Sequence, residues 1–232
     1  MSLLKVDISE ISLITESKRK ILSSISFSLE PGYVYSILGN NGSGKTTLLL
    51  SIANLLNKNI FAISGQILFE GKNILSPKEN EILALRKNNI CYVFQNPSLM
   101  FDPLKKMKYY VEMIADKLFL SELFKKSMLP DLNSSSKKYF YEFSEGQLQR
   151  IALCLAIAAK PKLLILDEPT SSLDSINLNI IKNLLLSFRN KNNSVLIVTH
   201  DKFFAENISD FIGEISSGTF NKFSAHAINY DL

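Results

Sequence analysis

At 232 residues the chain is long enough for one large domain, or a core with a subdomain, and it needs no disulfides to hold a core. Its 26 basic and 22 acidic residues leave a net charge of +4, too mild a bias to argue for nucleic acid, and two cysteines make no disulfide framework. The start, Met1-Ser2-Leu3-Leu4-Lys5-Val6-Asp7, turns polar too soon for a secretion signal, and the longest apolar stretch, 151–159, is far short of the ~20 residues of a membrane helix, so a cytosolic chain is expected.

Residues 1–38 read as β structure. Val6, Ile8, Ile11 and Leu13 alternate loosely with polar positions, and 25–29 alternate strictly, with turns expected at 17–20 and 30–32. The apolar run 33–38 reads as a buried strand, and the leucine-rich run 48–56 as a helix. Between them stands Gly39-Asn40-Asn41-Gly42-Ser43-Gly44-Lys45-Thr46-Thr47, which satisfies the phosphate-binding pattern G-x-x-x-x-G-K-[ST]. A strand handing the chain through glycines to a helix N-terminus presents backbone N–H groups and the positive helix end to an anion. Lys45 can then reach the β- and γ-phosphates of a nucleoside triphosphate, and the Thr46 hydroxyl can ligate Mg²⁺.

Residues 65–71 read as a short strand with a glycine at each end. Residues 90–94 read as a continuous apolar strand, the type buried on both faces of a parallel sheet. Residues 98–160 differ: Leu, Met, Lys, Glu and Tyr recur at helical spacing, no strand is evident, and 134–138 reads as a loop. The lysine pairs 105–106, 125–126 and 137–138 read as a solvated helical surface. Strands return at 163–166 and 195–198, around a helical pattern at 177–188. This order predicts one α/β domain over 1–232, with a core at 1–97 and 161–232 interrupted by an α subdomain at 98–160. Cys91 and Cys154 lie in apolar runs and read as buried free thiols.

Asp167-Glu168 follows four apolar residues at a strand end, where ligands bind in open α/β sheets. Asp167, nearer the strand, is placed to hold Mg²⁺, and Glu168 to orient or deprotonate an attacking water. In Ser144-Glu145-Gly146-Gln147-Leu148-Gln149-Arg150, Ser144 reads as an N-cap, with Leu148, Ile151, Ala152 and Leu155 on one helical face. Gly146 in the first turn costs up to ~1 kcal/mol relative to alanine. That cost makes sense where a ligand must approach the backbone, so a second anion site is expected there.

The sequence resembles the ATP-binding cassette (ABC) ATPase family over essentially its whole length. The resemblance rests on 39–47, Gln95 after an apolar strand, Phe143-Ser144-Glu145-Gly146-Gln147, the strand and carboxylates 163–168, Ser171-Ser172-Leu173-Asp174, and His200. It implies a P-loop NTPase (RecA-like) core with an N-terminal antiparallel β subdomain and an inserted α-helical subdomain, ATP and Mg²⁺ as ligands, and ATP hydrolysis. By the same resemblance Gln95 contacts Mg²⁺ or the water, and His200 hydrogen-bonds the γ-phosphate. Ser144, Gly146 and Gln147 complete the site of an opposing subunit, and Asp174 shapes that interface. The resemblance further implies that two identical or related subunits sandwich two ATP molecules at the cytoplasmic face of a membrane, attached to transmembrane permease subunits and served indirectly by an extracytoplasmic binding protein; no nucleic-acid partner is expected.

The sequence departs from the family pattern at Phe143 and Glu145, and it offers Ile14-Thr15 where the family stacks adenine on an aromatic ring. Weaker base stacking is expected. Residues 95–104, Gln-Asn-Pro-Ser-Leu-Met-Phe-Asp-Pro-Leu, resemble a stretch of the peptide and nickel importer ATPases. They favour an importer of peptides, nickel or metal chelates. The alternatives are an energy-coupling ATPase for cobalt, nickel or vitamin uptake, which would share nearly every catalytic residue, and a soluble ABC ATPase of iron–sulfur assembly or nucleic acid, which would have no permease. Beyond Ile215 the part is short, and no regulatory domain is expected there.

Overall fold

The computed structural model describes residues 2–15, 18–76, 79–170 and 174–226. In chain order, β1 (Leu4–Leu13) and β2 (Lys20–Leu29) are followed by β3 (Val34–Leu38), α1 (Lys45–Ile52), β4 (Phe61–Phe69), β5 (Lys72–Asn73), α2 (Glu79–Asn88) and β6 (Ile90–Val93). Four helices come next: α3 (Met107–Met113), α4 (Lys117–Lys126), α5 (Leu132–Ser136) and α6 (Glu145–Ala158). The chain then runs through β7 (Leu163–Asp167), α7 (Ser175–Phe188), β8 (Ser194–Thr199), α8 (Lys202–Ile208), β9 (Phe211–Ser216), β10 (Thr219–Phe220) and β11 (Ser224–Ala225).

Two sheets form. Alternating burial along β1 gives it one apolar face, and it pairs antiparallel with β2 on one side and β4 on the other, in the order β2-β1-β4-β5. The second sheet runs β10-β9-β3-β8-β7-β6, and its β9-β3-β8-β7-β6 pairings are all parallel. Every residue of β7 and β8 is buried, as expected of strands covered on both faces. One core lies between the two sheets around α1, with Leu48, Leu49, Ile52, Ile165 and Val198. A second lies on the other face, where Ile151, Cys154 and Ile157 of α6 meet Leu164, Leu166, Ile181 and Leu185. Phe101 and Phe140 stack at 3.7 Å and tie the segment after β6 to the approach to α6.

Several local expectations are corrected. The strand placed at 65–71 is Phe61–Phe69, and Gly65 lies inside it at a bulge, with φ +129°. A Cβ there would stand 2.3 Å from the Asp7 carbonyl oxygen, so glycine marks close backbone approach and not a strand end. The loop expected at 134–138 begins as α5, because the Asp131 carboxylate accepts the Ser134 N–H at 2.9 Å and starts a helical turn. The helix expected at 48–56 starts earlier, at Lys45, and ends at Ile52, where Asn54 turns left-handed (φ 53°). Cys154 is buried, but Cys91 is only half-buried. An antiparallel bridge joins Lys106 to Tyr139, so lysine pairs 105–106 and 137–138 share one patch. Ser17 of the expected turn, and residues 227–232 of the C-terminal part, lie outside the described residues.

Candidate functional site

The parallel register sets the site. Leu38 pairs with Thr199 and Asp167 with Val198, so the glycine loop, the carboxylates 167–168 and His200 all leave the sheet at the carboxyl ends of neighbouring strands. Gly39 permits a close fold, since a Cβ would meet the Ile215 carbonyl oxygen at 2.6 Å and Ser43 Oγ at 2.7 Å. Gly44 enters α1 with φ +100° and has no room for a Cβ against Leu22. No side chain caps the N-terminus of α1 and no acidic residue occupies its first turn. Its N–H groups therefore face the loop with their positive dipole uncompensated. Ser43 Oγ is buried there with no hydrogen-bond partner in the described residues, an unmet polar atom that a phosphate-bearing ligand suits. Asn40, Asn41 and Gly42 are exposed, Thr46 is exposed, and Thr47 is half-buried.

Lys45 folds back over the loop, donating to the carbonyl oxygens of Gly39 (2.8 Å) and Asn40 (3.2 Å). Its ammonium also lies 3.2 Å from Glu168 Oε1. The other oxygen, Oε2, accepts the His200 backbone N–H at 3.1 Å and lies 2.9 Å from His200 Nδ1. Glu168 adopts φ 45°, a left-handed conformation that costs an L residue ~1–2 kcal/mol, and its N–H donates to the Val198 carbonyl at 2.9 Å. The carboxylate is thus held on both oxygens by a backbone set against its own preference.

Asp167 is held as firmly. Thr46 Oγ1 donates to its Oδ1 at 3.1 Å, and the Tyr92 hydroxyl donates to its Oδ2 at 2.9 Å. Burial pushes the Asp167 carboxyl up from the usual carboxylate range, while the Tyr92 and Thr46 hydrogen bonds pull it back. Burial, then the Asp167 charge, push the Tyr92 phenol far above its ordinary value, so it stays protonated and donates. Among the described residues no group of three His, Cys, Asp or Glu side chains could hold a metal ion. Thr46 and Asp167 supply hard oxygen donors, which suit Mg²⁺ when phosphates and water complete its shell.

The remaining sequence-predicted residues stand apart from this cluster. Gln95 is exposed, two residues beyond the end of β6 at Val93, which pairs with Leu166. Ser144 and Gln147 form a reciprocal capping box at the start of α6: Ser144 Oγ accepts the Gln147 N–H at 3.3 Å, and Gln147 Oε1 accepts the Ser144 N–H at 3.0 Å. The Gly146 carbonyl accepts Arg150 Nε at 3.1 Å. None of these bonds reaches the glycine loop. Asp174 caps α7 through the Asn177 N–H at 2.8 Å, and residues 171–173 lie outside the described residues. Sequence reasoning missed Tyr92, which it read only as part of an apolar strand. The available signal was a phenol, which needs a hydrogen-bond partner when buried, one strand away from Asp167.

A sequence model of a family described as "ABC transporter" matches residues 22–171. The chain belongs to the ABC transporter family. The match covers more than half of the chain and includes the glycine loop, the Ser144–Gln147 segment and both carboxylates. The dipeptide transport ATP-binding protein DppD of Lactococcus lactis subsp. cremoris (strain MG1363) is 33% identical over 195 residues, 78% of this chain and 56% of that protein. This ABC chain therefore spans little more than half the length of that relative. The lipoprotein-releasing system ATP-binding protein LolD of Buchnera aphidicola subsp. Acyrthosiphon pisum (strain APS) is 38% identical over 191 residues, 78% of this chain and 80% of that protein. The metal-staphylopine import system ATP-binding protein CntD of Staphylococcus aureus (strain NCTC 8325 / PS 47) is 30% identical over 215 residues, 88% and 79% of the two chains.

Solved structures agree on the fold. The structure of cbiO1 from Clostridium perfringens, part of the ABC transporter complex cbiONQ, aligns with TM-score 0.76 and 26% identity over 97% of this chain and 88% of that one. A dimeric bacterial ABC transporter cassette aligns with TM-score 0.81 and 22% identity over 97% and 99%. Its fold is that of this chain: an α/β P-loop core with an antiparallel β sheet. No described helix is long and apolar enough to cross a membrane.

Proposed function

We propose that this chain is the ATP-binding, ATP-hydrolysing subunit of a membrane transporter, acting in a pair with an identical or related subunit. The observation that carries the reading is the grip on Glu168, with Lys45 3.2 Å from one oxygen and His200 Nδ1 2.9 Å from the other, beside the Thr46–Asp167 pair. A glycine loop, a lysine and two differently held carboxylates at the carboxyl ends of neighbouring strands are the parts that phosphoryl transfer to water needs.

The chain's own residues divide the work. Lys45 sits on neutral carbonyl oxygens that charged phosphate oxygens replace with stronger bonds. Glu168 orients the water and takes its proton as the water oxygen bonds to the γ-phosphorus. The bond from that phosphorus to the β–γ bridging oxygen breaks, and ADP leaves with that oxygen. His200 keeps Glu168 aimed and hydrogen-bonds the γ-phosphate. Thr46 and Asp167, with Gln95, would hold Mg²⁺, which when bound neutralises charge developing on the phosphate oxygens.

Ser144, Gly146 and Gln147 serve the nucleotide of the partner subunit. The exposure of Ser144, and a capping box that reaches nothing in its own glycine loop, support this reading. The dimeric cassette that shares the fold supports it too. Residues 98–160 form the subdomain that transmits the nucleotide state. Their exposed apolar side chains, Leu99, Leu104, Met113 and Tyr141, offer a surface for a transmembrane permease at the cytoplasmic face of the membrane. An importer of peptides, nickel or metal chelates is favoured by the likeness to DppD and CntD and by residues 95–104. An energy-coupling role for cobalt, nickel or vitamin uptake is the second reading, supported by the likeness to cbiO1.

The experiment is purification of Glu168→Gln from native membranes with ATP and Mg²⁺. The membrane subunits recovered with it name the cargo class. Recovery of an ATP-bound dimer with no membrane subunit would overturn the transporter reading.

A further inference from the structure

We propose that Tyr92 is a positioning residue for the metal site, its hydroxyl holding Asp167 Oδ2 so that Oδ1 is presented to Thr46. The inference rests on the reading of Thr46 and Asp167 as metal-holding residues. In the parallel pair β6–β7 Tyr92 is registered against Ile165, two residues before Asp167. Tyr92, Ile165 and Asp167 therefore project from one face of the sheet. The hydroxyl reaches Asp167 Oδ2 at 2.9 Å, and Thr46 Oγ1 takes Oδ1 at 3.1 Å. Among the described residues Tyr92 is the one donor to Oδ2.

Geometry gives the two bonds different roles. The Thr46 hydroxyl has one proton, which it gives to Asp167, and lone pairs left for a cation. Tyr92 lies on the far oxygen and touches neither the glycine loop nor the lysine by any hydrogen bond. It fixes the carboxylate's rotation about its terminal bond, a broad torsion that packing alone restrains weakly. Asp167 is 4% exposed, so no bulk water substitutes for a missing donor. The bland alternative is that Tyr92 is a core ring whose hydroxyl happens to find an acceptor. Its ring contact with Phe94, centroids 4.7 Å apart, would survive removal of the hydroxyl.

Tyr92→Phe separates the two. Binding of a fluorescent ATP analogue is titrated with EDTA and again across Mg²⁺ concentrations, for parent and variant, with thermal melting of both. The expected result is metal-free nucleotide affinity within about twofold of the parent, with the Mg²⁺ midpoint raised about fivefold to tenfold, the size of one lost buried hydrogen bond. Hydrolysis then recovers at excess Mg²⁺. An unchanged midpoint, or an equal fall in affinity with and without Mg²⁺, overturns the proposal. If Tyr92→Phe does not fold, Tyr92→Met keeps apolar bulk at the position and is read by the same titrations. A parent protein whose nucleotide affinity ignores Mg²⁺ would instead count against the metal reading of Thr46 and Asp167.

Discussion

The Lys45 ammonium lies 3.2 Å from the Glu168 carboxylate, with the two side chains only 5% and 7% exposed. A buried pair of this kind adds little net stability, but removing one member strands the other charge. Lys45→Ala is therefore expected to act twice. It loses the cation that meets the phosphates, lowering ATP affinity at least about a hundredfold, and it leaves Glu168 buried without that cation, costing ~3 kcal/mol or more of stability. The double variant Lys45→Ala/Glu168→Gln should recover part of the lost melting temperature and none of the affinity. Additive melting shifts would show that the two residues do not couple.

Glu168→Gln tests the proposed role of Glu168 as the base. The amide keeps the shape and can still accept from the His200 N–H, but it takes no proton from water. ATP binding should be retained while phosphate release falls at least about a hundredfold, within the range of general-base contributions. An ATP-bound dimer should then accumulate on size-exclusion chromatography. Turnover within about threefold of the parent would remove Glu168 from this role.

Asp167 carries a cost in the nucleotide-free protein. Its carboxyl is raised by burial, so the folded state binds its proton more readily than the unfolded chain does. Such a group opposes folding above its folded pKa, and the penalty fades as pH falls through that value and is gone below the ordinary Asp range. Asp167→Asn should accordingly raise the melting temperature of the nucleotide-free protein at pH 7–8, with a difference that narrows on acidification. The same variant should lose Mg²⁺-dependent nucleotide binding. A stability gain independent of pH would point to packing and not charge.

The glycine loop, the carboxylates 167–168 and His200, which the strand register brings together, were the most readable part of the sequence. Glycines, a lysine and a threonine at fixed spacing have few explanations other than a phosphate loop, and buried apolar runs mark parallel strands by composition alone. Long-range relations were not readable. Tyr92 and Asp167 are 75 positions apart and meet only because β6 and β7 are neighbours in the sheet. Gly65 misled for a related reason: a glycine at a strand end and one under a crossing backbone look alike until the partner strand is known. The helix within 134–138 was hidden by serines, which favour turns unless a cap such as Asp131 fixes the first turn.

By the family resemblance Ile14-Thr15 is expected where an aromatic ring would stack adenine, and Ile14 is 55% exposed. Its backbone N–H donates to the Ile60 carbonyl at 2.8 Å, so the position is anchored while its side chain is free to be exchanged. Ile14→Tyr should raise ATP affinity several-fold, the ~1 kcal/mol or more that base stacking on a ring supplies. Isothermal titration with ATP and with inorganic triphosphate distinguishes the cause. The gain should appear with ATP alone, and equal gains for both ligands would rule out stacking.

Leu104 is 83% exposed and Leu99 72%, on a segment whose own turns are already satisfied: Asn96 Oδ1 accepts the Ser98 N–H at 3.0 Å, and Asp102 Oδ1 accepts the Leu104 N–H at 2.9 Å. Two large apolar side chains on hydrogen-bonded turns leave apolar surface that a partner can cover. Leu104→Asp places a charge on that surface without touching a hydrogen bond of the nucleotide site. It should abolish recovery of membrane subunits with the affinity-tagged protein while ATP binding stays within about twofold of the parent. If the membrane subunits still co-purify with Leu99→Asp/Leu104→Asp, the permease docks elsewhere, and the lysine–tyrosine patch joined by the Lys106–Tyr139 bridge becomes the surface to alter next.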